Sequence, residues 1–207
     1  MKKGIIFIIV GFLCIGAALG IYGYNMWDSE RAGEKCEKVL EEIKPAIKER
    51  IEFFESIYET EEERDTPAYI IDPTRSMPYI EVDETPYIGM ISLTPLGLEF
   101  PVAGDWSYER MKDSPCRYSG SAYLDNMVIA AHNYTTHFGR IDNLRFGDRI
   151  TFTDMDGNVF EYEVVELETL RSTAIYDMTN GDWDLTLFTC DLSGQSRVTV
   201  RCDRVSE

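Results

Sequence analysis

From Gly4 to Trp27 no residue carries a charge, and the run from Ile5 to Gly16 is almost wholly apolar. That stretch is long enough to cross a bilayer, which takes about 20 residues at ~1.5 Å each. Lys2 and Lys3 precede it and an acidic segment follows. The positive-inside rule therefore predicts a cytoplasmic N-terminus, with everything after Trp27 outside the cell. Tyr22, Tyr24 and Trp27 suit an interfacial aromatic belt. The competing reading is a cleaved signal peptide. Ala17-Ala18-Leu19-Gly20 offers small residues, but no clean A-x-A site follows a short apolar core. The segment reads as an uncleaved, single-pass signal anchor over residues 1–27.

Past the anchor the period changes. Cys36, Val39, Leu40, Ile43, Ile47, Ile51 and Phe54 recur mostly three and four residues apart, the stripe of an amphipathic helix with a potential bend at Pro45. Such a stripe serves to pack on a following domain or to space it from the membrane. Glu59 to Asp65 is nearly all charge and reads as solvated. Pro67, Pro73, Pro78 and Pro86 make residues 66–86 an extended linker, so that 28–86 form a helical and extended juxtamembrane segment.

From residue 87 to 207 the pattern becomes short apolar or alternating runs. Strands are predicted at Tyr87–Leu93, Leu98–Val102, Met127–Ala131, Arg149–Thr153, Val159–Leu167, Leu185–Thr189 and Arg197–Cys202. Asp156-Gly157 is a hairpin turn signal. In the strand that follows, Phe160, Tyr162 and Val164 alternate with Glu161, Glu163 and Val165. Many short strands and few helices predict an all-β domain, closed or sandwiched. No glycine-rich phosphate loop and no strand–helix alternation is present, which argues against a nucleotide-binding fold.

Composition narrows the functions. Among 207 residues, 37 are acidic and 20 basic, a formal net charge of −17. Without a dense Lys/Arg block, such a chain is a poor match for nucleic-acid phosphates. Five cysteines are too few for a disulfide-built fold. A pairing among Cys36, Cys116 and Cys202 is open outside the cell, but sequence does not establish one. With two histidines, a site needing three is excluded. Asp154, Asp156 and Asn158 have calcium-like spacing but lack the later bidentate Glu, so a plain hairpin turn is the better reading. No metal and no cofactor is expected.

The chemistry points to the C-terminal segment. Cys190 ends an apolar strand and opens a polar loop, a place where a rigid scaffold can present a nucleophile. The next strand starts at Arg197. If the two strands are antiparallel neighbours, Arg197 sits near Cys190, and Arg201 shares its face about 13 Å further along. Val198, Val200 and Cys202 then face the core. His132 follows Met127–Ala131, again at a strand end, and is preferred over His137, whose plain reading is loop packing. Cys36 and Cys202 read as core, and Cys116 as a loop residue.

Thr186-Leu187-Phe188-Thr189-Cys190 resembles the T-L-x-T-C signature of sortases, cysteine transpeptidases of Gram-positive cell surfaces. Arg197 matches the family's arginine on the next strand, and Ala131-His132-Asn133 the region of its histidine, although many members have Gly before the His. The resemblance covers about residues 87–205 and assigns no sortase class. It implies a closed β-barrel of about seven to eight strands, preceded by the transmembrane and amphipathic helices. It also implies catalysis by Cys190, His132 and Arg197, with Thr189 a further candidate for substrate contact. The reaction implied is cleavage of an LPXTG-like sorting signal after Thr, through a thioacyl-enzyme. The acyl group passes to an amine of a peptidoglycan precursor or a pilin lysine. As a thiol endopeptidase such an enzyme also falls in the hydrolase class. A non-catalytic sortase-like module that binds sorting peptides or partner proteins is the alternative. A papain-like protease fits poorly, because there the Cys precedes the His. A thiolate is the attacking form, and Asp191 beside Cys190 would oppose it if its carboxylate faced the sulfur. Asp191 is therefore expected to point away, or to contact His132 or Arg197.

Overall fold

The computed structural model of the chain describes residues 2–57 and 66–205. Helix α1 spans Lys2–Ile57 without a break, continuing through Pro45. The helix pattern tolerates the missing N–H there. Its first part is exposed on all sides, with Ile5, Phe7, Phe12, Leu13 and Leu19 all uncovered, and it is long and apolar enough to cross a membrane. Beyond Trp27 the stripe takes over. Ala32, Cys36, Val39, Leu40, Ile43 and Ile47 are buried against the β-domain, each large aliphatic contributing about 1.5–3 kcal/mol. Ile51 and Phe54, at the end of the stripe, are only partly covered. The charged run from Glu59 to Asp65 lies outside the described residues.

The 66–86 segment is less extended than its prolines suggest. It holds a short helix α2 (Ala68–Ile71) and strand β1 (Ile80–Val82), and β2 (Thr85–Leu93) opens two residues before the expected boundary at 87. The remaining strands are β3 (Leu98–Ala103), β4 (Cys116–Ser119), β5 (Met127–Ala130), β6 (Arg149–Asp154), β7 (Val159–Arg171), β8 (Leu185–Cys190) and β9 (Ser196–Arg204). Short helices α3 (Tyr108–Met111) and α4 (Ile175–Thr179) lie in the connections. Cys116, expected in a loop, instead begins β4, where it is fully buried and pairs with Ala130.

The strands run in the order β1-β2-β3-β4-β5-β8-β9-β7-β6, and β6 returns to pair with β2. Eight strands, β2 to β9, thus close a barrel. β1 pairs only with residues 85–87 of β2, just before β6 takes over the same edge at Gly89. Closure removes the open edge that would otherwise invite pairing with another chain. Inward positions alternate on seven of the eight barrel strands: Ile91 and Leu93, Phe100 and Val102, Met127 and Ile129, Ile150 and Phe152, Phe160, Tyr162 and Val164, Leu185 and Leu187, and Val198, Val200 and Cys202 fill the lumen. A second cluster covers the outside. It joins Val39, Ile43 and Ile47 of α1 with Val128, Ala130, Phe188, Met111 and Met178.

Candidate active site

The phase of β8 decides where its sulfur goes. Leu185 and Leu187 point into the lumen, so Thr186, Phe188 and Cys190 point out. On β9, Val198 and Val200 point in, and Arg197, Thr199 and Arg201 out. The register pairs Cys190 with Arg197, Phe188 with Thr199 and Thr186 with Arg201. Directly opposed residues of an antiparallel pair have Cβ atoms about 4.5–5.5 Å apart. The expected neighbourhood of Cys190 and Arg197 is therefore present. The other arginine has a different place: Arg201 is 2% exposed and is held by Glu168, Thr186 Oγ1 and the carbonyls of Met178 and Asp177.

On the other side of β8 runs β5, and this pair is parallel. Ala130 pairs with Phe188, and the Ala131 N–H continues the ladder to Phe188 O at 3.2 Å. His132 and Cys190 each stand two residues further along, at the same rim and in the outward phase. Thr189 binds the two strand ends together: its hydroxyl donates to Ala131 O at 2.8 Å, and the residue is buried. Its hydroxyl is thus engaged within the protein, while Thr189 and Cys190 together line a groove of about 490 Å³ with Asn133, Phe138, Gly139 and Asp142. Cys190 is half-buried and its sulfur is free. Among the described residues no hydrogen bond joins the thiol to His132 or Arg197.

Asp191 resolves the electrostatic question raised by its position. Its carboxylate accepts from Ser193 Oγ (2.7 and 2.9 Å) and from the Ser196 N–H (3.3 Å). It closes the β8–β9 loop on itself and contacts neither His132 nor Arg197. Those donors, Ser193 foremost, hold its pKa below the usual carboxylate value. Asn133 Nδ2 donates to Asp191 O at 3.4 Å and links the two loops that carry the thiol and the imidazole.

Burial lowers the pKa of His132, Lys112 lowers it further, and Asp28 opposes both. The ring stacks on Tyr134, with centroids 4.8 Å apart and planes 15° from parallel. Tyr134 in turn donates its hydroxyl to Asp28 of α1. These two residues were not legible as part of the site. Tyr134 lies two positions from His132, a weak signal, and nothing in the sequence marks Asp28. His137 is fully buried behind them, its Nε2 3.4 Å from Cys36 Sγ, in keeping with loop packing.

The remaining candidates are structural. Asp154 is fully buried and accepts from Tyr123 Oη (2.6 Å), the Asp156 and Asn158 N–H groups (both 2.9 Å) and Asn158 Nδ2 (2.8 Å). Its oxygens staple the β6–β7 turn. Among the described residues no group of His, Cys, Asp or Glu is arranged to hold a metal ion. Cys36, Cys116 and Cys202 are free thiols, buried and apart from the groove.

The chain is thus an eight-stranded closed barrel with a cysteine, an arginine and a histidine placed along neighbouring strand ends. The sortase domain model matches residues 91–205, more than half of the chain, and the protein belongs to the sortase family. Solved structures share the fold. Sortase A from Corynebacterium diphtheriae is 18% identical, with 92% of this chain and 96% of that one covered at a TM-score of 0.55. Sortase C from Streptococcus pneumoniae is 21% identical, with 82% and 97% covered at 0.54. A Clostridium perfringens sortase D5 transpeptidase is 21% identical, with 78% and 99% covered at 0.52. No curated protein matches the chain.

Proposed function

We propose that this sortase is a membrane-anchored cysteine transpeptidase whose nucleophile is Cys190. The observation that carries the reading is the register: Cys190 faces Arg197 across β8–β9 and stands level with His132 along β5–β8. His132, with its pKa lowered by burial, takes the Cys190 proton. The thiolate attacks the backbone carbonyl carbon of Thr in an LPXTG-like signal, and Arg197 donates hydrogen bonds to the developing oxyanion. The C–N bond breaks as His132 returns its proton to the leaving amine, giving a thioester on Cys190. An incoming amine then attacks the thioester, loses a proton to His132 and expels the thiolate. One fold relative is described by its pilin substrate specificity. A pilin lysine and a peptidoglycan-precursor amine are the two acceptors this chemistry admits. With α1 spanning the membrane and Lys2 and Lys3 inside, the barrel lies at the outer surface.

The test incubates the full chain in detergent micelles with an LPXTG-type peptide library and an amine acceptor. Mass spectrometry is expected to find an acyl adduct on Cys190 and a peptide joined to the amine after Thr, both lost in Cys190→Ala. Saturable peptide binding without product would overturn catalysis in favour of a binding module. Cleavage that survives Cys190→Ala would remove the nucleophile assignment.

A further inference from the structure

The root of the membrane anchor is sewn to the loop that carries the histidine. Asp28 is the first charged residue after the uncharged segment, and its carboxylate takes both the Tyr134 hydroxyl and Arg31 Nε (3.0 Å). One residue on, Ser29 Oγ meets Thr136 Oγ1 at 3.0 Å, and Thr136 Oγ1 donates to Ser29 O at 2.6 Å. Gly33, one turn further along α1, lets the helix pass close to Thr136: a Cβ there would lie 3.1 Å from two of its atoms. These contacts join residues more than a hundred positions apart, and they converge on a loop of six residues beginning at His132.

We propose that Asp28 is a positioning residue for His132, acting through the Tyr134 ring, so that the first turn of α1 beyond the membrane segment belongs to the catalytic apparatus. The proposal rests on His132 being the acid–base group. The Asp28 bond fixes the phenol, and a fixed phenol fixes the plane on which the imidazole lies. Held there, the ring at the end of β5 is kept in the outward phase level with Cys190. The second effect is electrostatic. Asp28 is a negative charge near the imidazole and favours its protonated form. Besides Asp28, the groups that meet His132 are Lys112 after α3, whose charge disfavours the protonated ring, and Tyr134 and His137 from its own loop. Arg31 and Lys35 both bind Asp113, at 2.9 and 2.8 Å, so that pairing offsets their charges and leaves Asp28 as the opposite charge that acts on His132.

The chain has only two histidines, so ring NMR resolves each. The full chain in detergent micelles is titrated as wild type, Asp28→Asn, Asp28→Glu, Tyr134→Phe and Tyr134→Leu, with His137 as an internal report on the fold. Asp28→Asn is near-isosteric and can still accept from Tyr134. It is expected to lower the apparent pKa of His132 measurably, with Asp28→Glu restoring most of the change. Peptide turnover is measured in parallel. Asp28→Asn and Tyr134→Leu are each expected to lower kcat about tenfold with little change in KM, and the double variant little more than either, since linked residues are not additive. Tyr134→Phe, which keeps the stack but not the hydrogen bond, falls between. An unshifted His132 titration in both Asp28→Asn and Tyr134→Leu would overturn the proposal, as would fully additive losses. If the wild type turns over no peptide, the transpeptidase reading fails while the titration still decides the role of Asp28.

Discussion

Arg197 is the cross-strand partner of Cys190, yet its guanidinium is folded back over its own loop, with Nη1 on Gly194 O at 3.2 Å and Ser196 O at 3.0 Å. The fork is thus tethered to its own loop by a single nitrogen, and among the described residues Nε and Nη2 make no hydrogen bond. Four residues along the same face, Arg201 spends Nε and both terminal nitrogens inside the protein. One arginine is half-buried and bound through one nitrogen, and the other is part of the scaffold.

That contrast separates rate from stability. Arg197→Ala is expected to lower kcat about 10²- to 10³-fold, the usual loss for a missing oxyanion donor, with its melting temperature near wild type. Arg197→Lys recovers only part of the rate, because an ammonium lacks the planar fork. Arg201→Ala leaves Glu168 and Thr186 without their partner at a buried site, and is expected to cost about 3–5 kcal/mol in denaturant unfolding. Parallel kinetics and unfolding curves on the three variants check the assignment.

His137 makes the domain sensitive to acid. Burial, helped by the nearby His132, pushes its pKa down to about 4. Above about pH 6.5 the ring is neutral in both folded and unfolded chains, so its contribution is complete. As pH falls, the unfolded chain gains a proton that the folded chain refuses until near 4. Stability therefore drops across that window, by on the order of 3 kcal/mol. His137→Gln should flatten this part of the profile relative to wild type, measured as denaturation midpoints at about pH 7 and about pH 4.5.

Gly139 sets the shape of the histidine loop through close approach. Its N–H donates to Tyr134 O at 2.8 Å, and a Cβ at this position would lie 2.4 Å from Asn133 O and 2.6 Å from Tyr134 O. Gly139→Ala must push that backbone away from the groove. We expect a loss of about 1–3 kcal/mol in stability from the overpacking, and a fall in kcat larger than that loss explains. Chemical unfolding and turnover on the same preparation distinguish the two effects.

Much of this arrangement is legible in the chain. Alternation or a continuous apolar run revealed seven of the eight barrel strands, because at least one face of each carries Ile, Val, Leu or Phe. The stripe from Cys36 to Ile47 marked a helix that packs. β1 and β4 escaped because they are three and four residues long and mix polar with apolar residues, unlike the equally short but wholly apolar β5. Cys116-Arg117-Tyr118-Ser119 is polar enough to read as loop and becomes a strand because β3 and β5 pair with it from either side. A strand ending at Cys190 and the next starting at Arg197 were enough to expect the two near each other in an antiparallel pair, which the register bears out. The Asp28–Tyr134 contact was invisible for the opposite reason. It depends on how a helix from one end of the chain lies on a loop from the middle, and no local pattern encodes that docking.

The parallel run of β5 beside β8 makes the catalytic rim intolerant of changes in length. Strand side chains switch sides with every residue. Deleting one residue between Leu185 and Cys190 would swing the sulfur into the lumen and eject a leucine to the surface. Descendants of this protein are thus free to alter what surrounds the groove by exchange of side chains, or by insertions in its loops, but the spacing along these two strands is a fixed count.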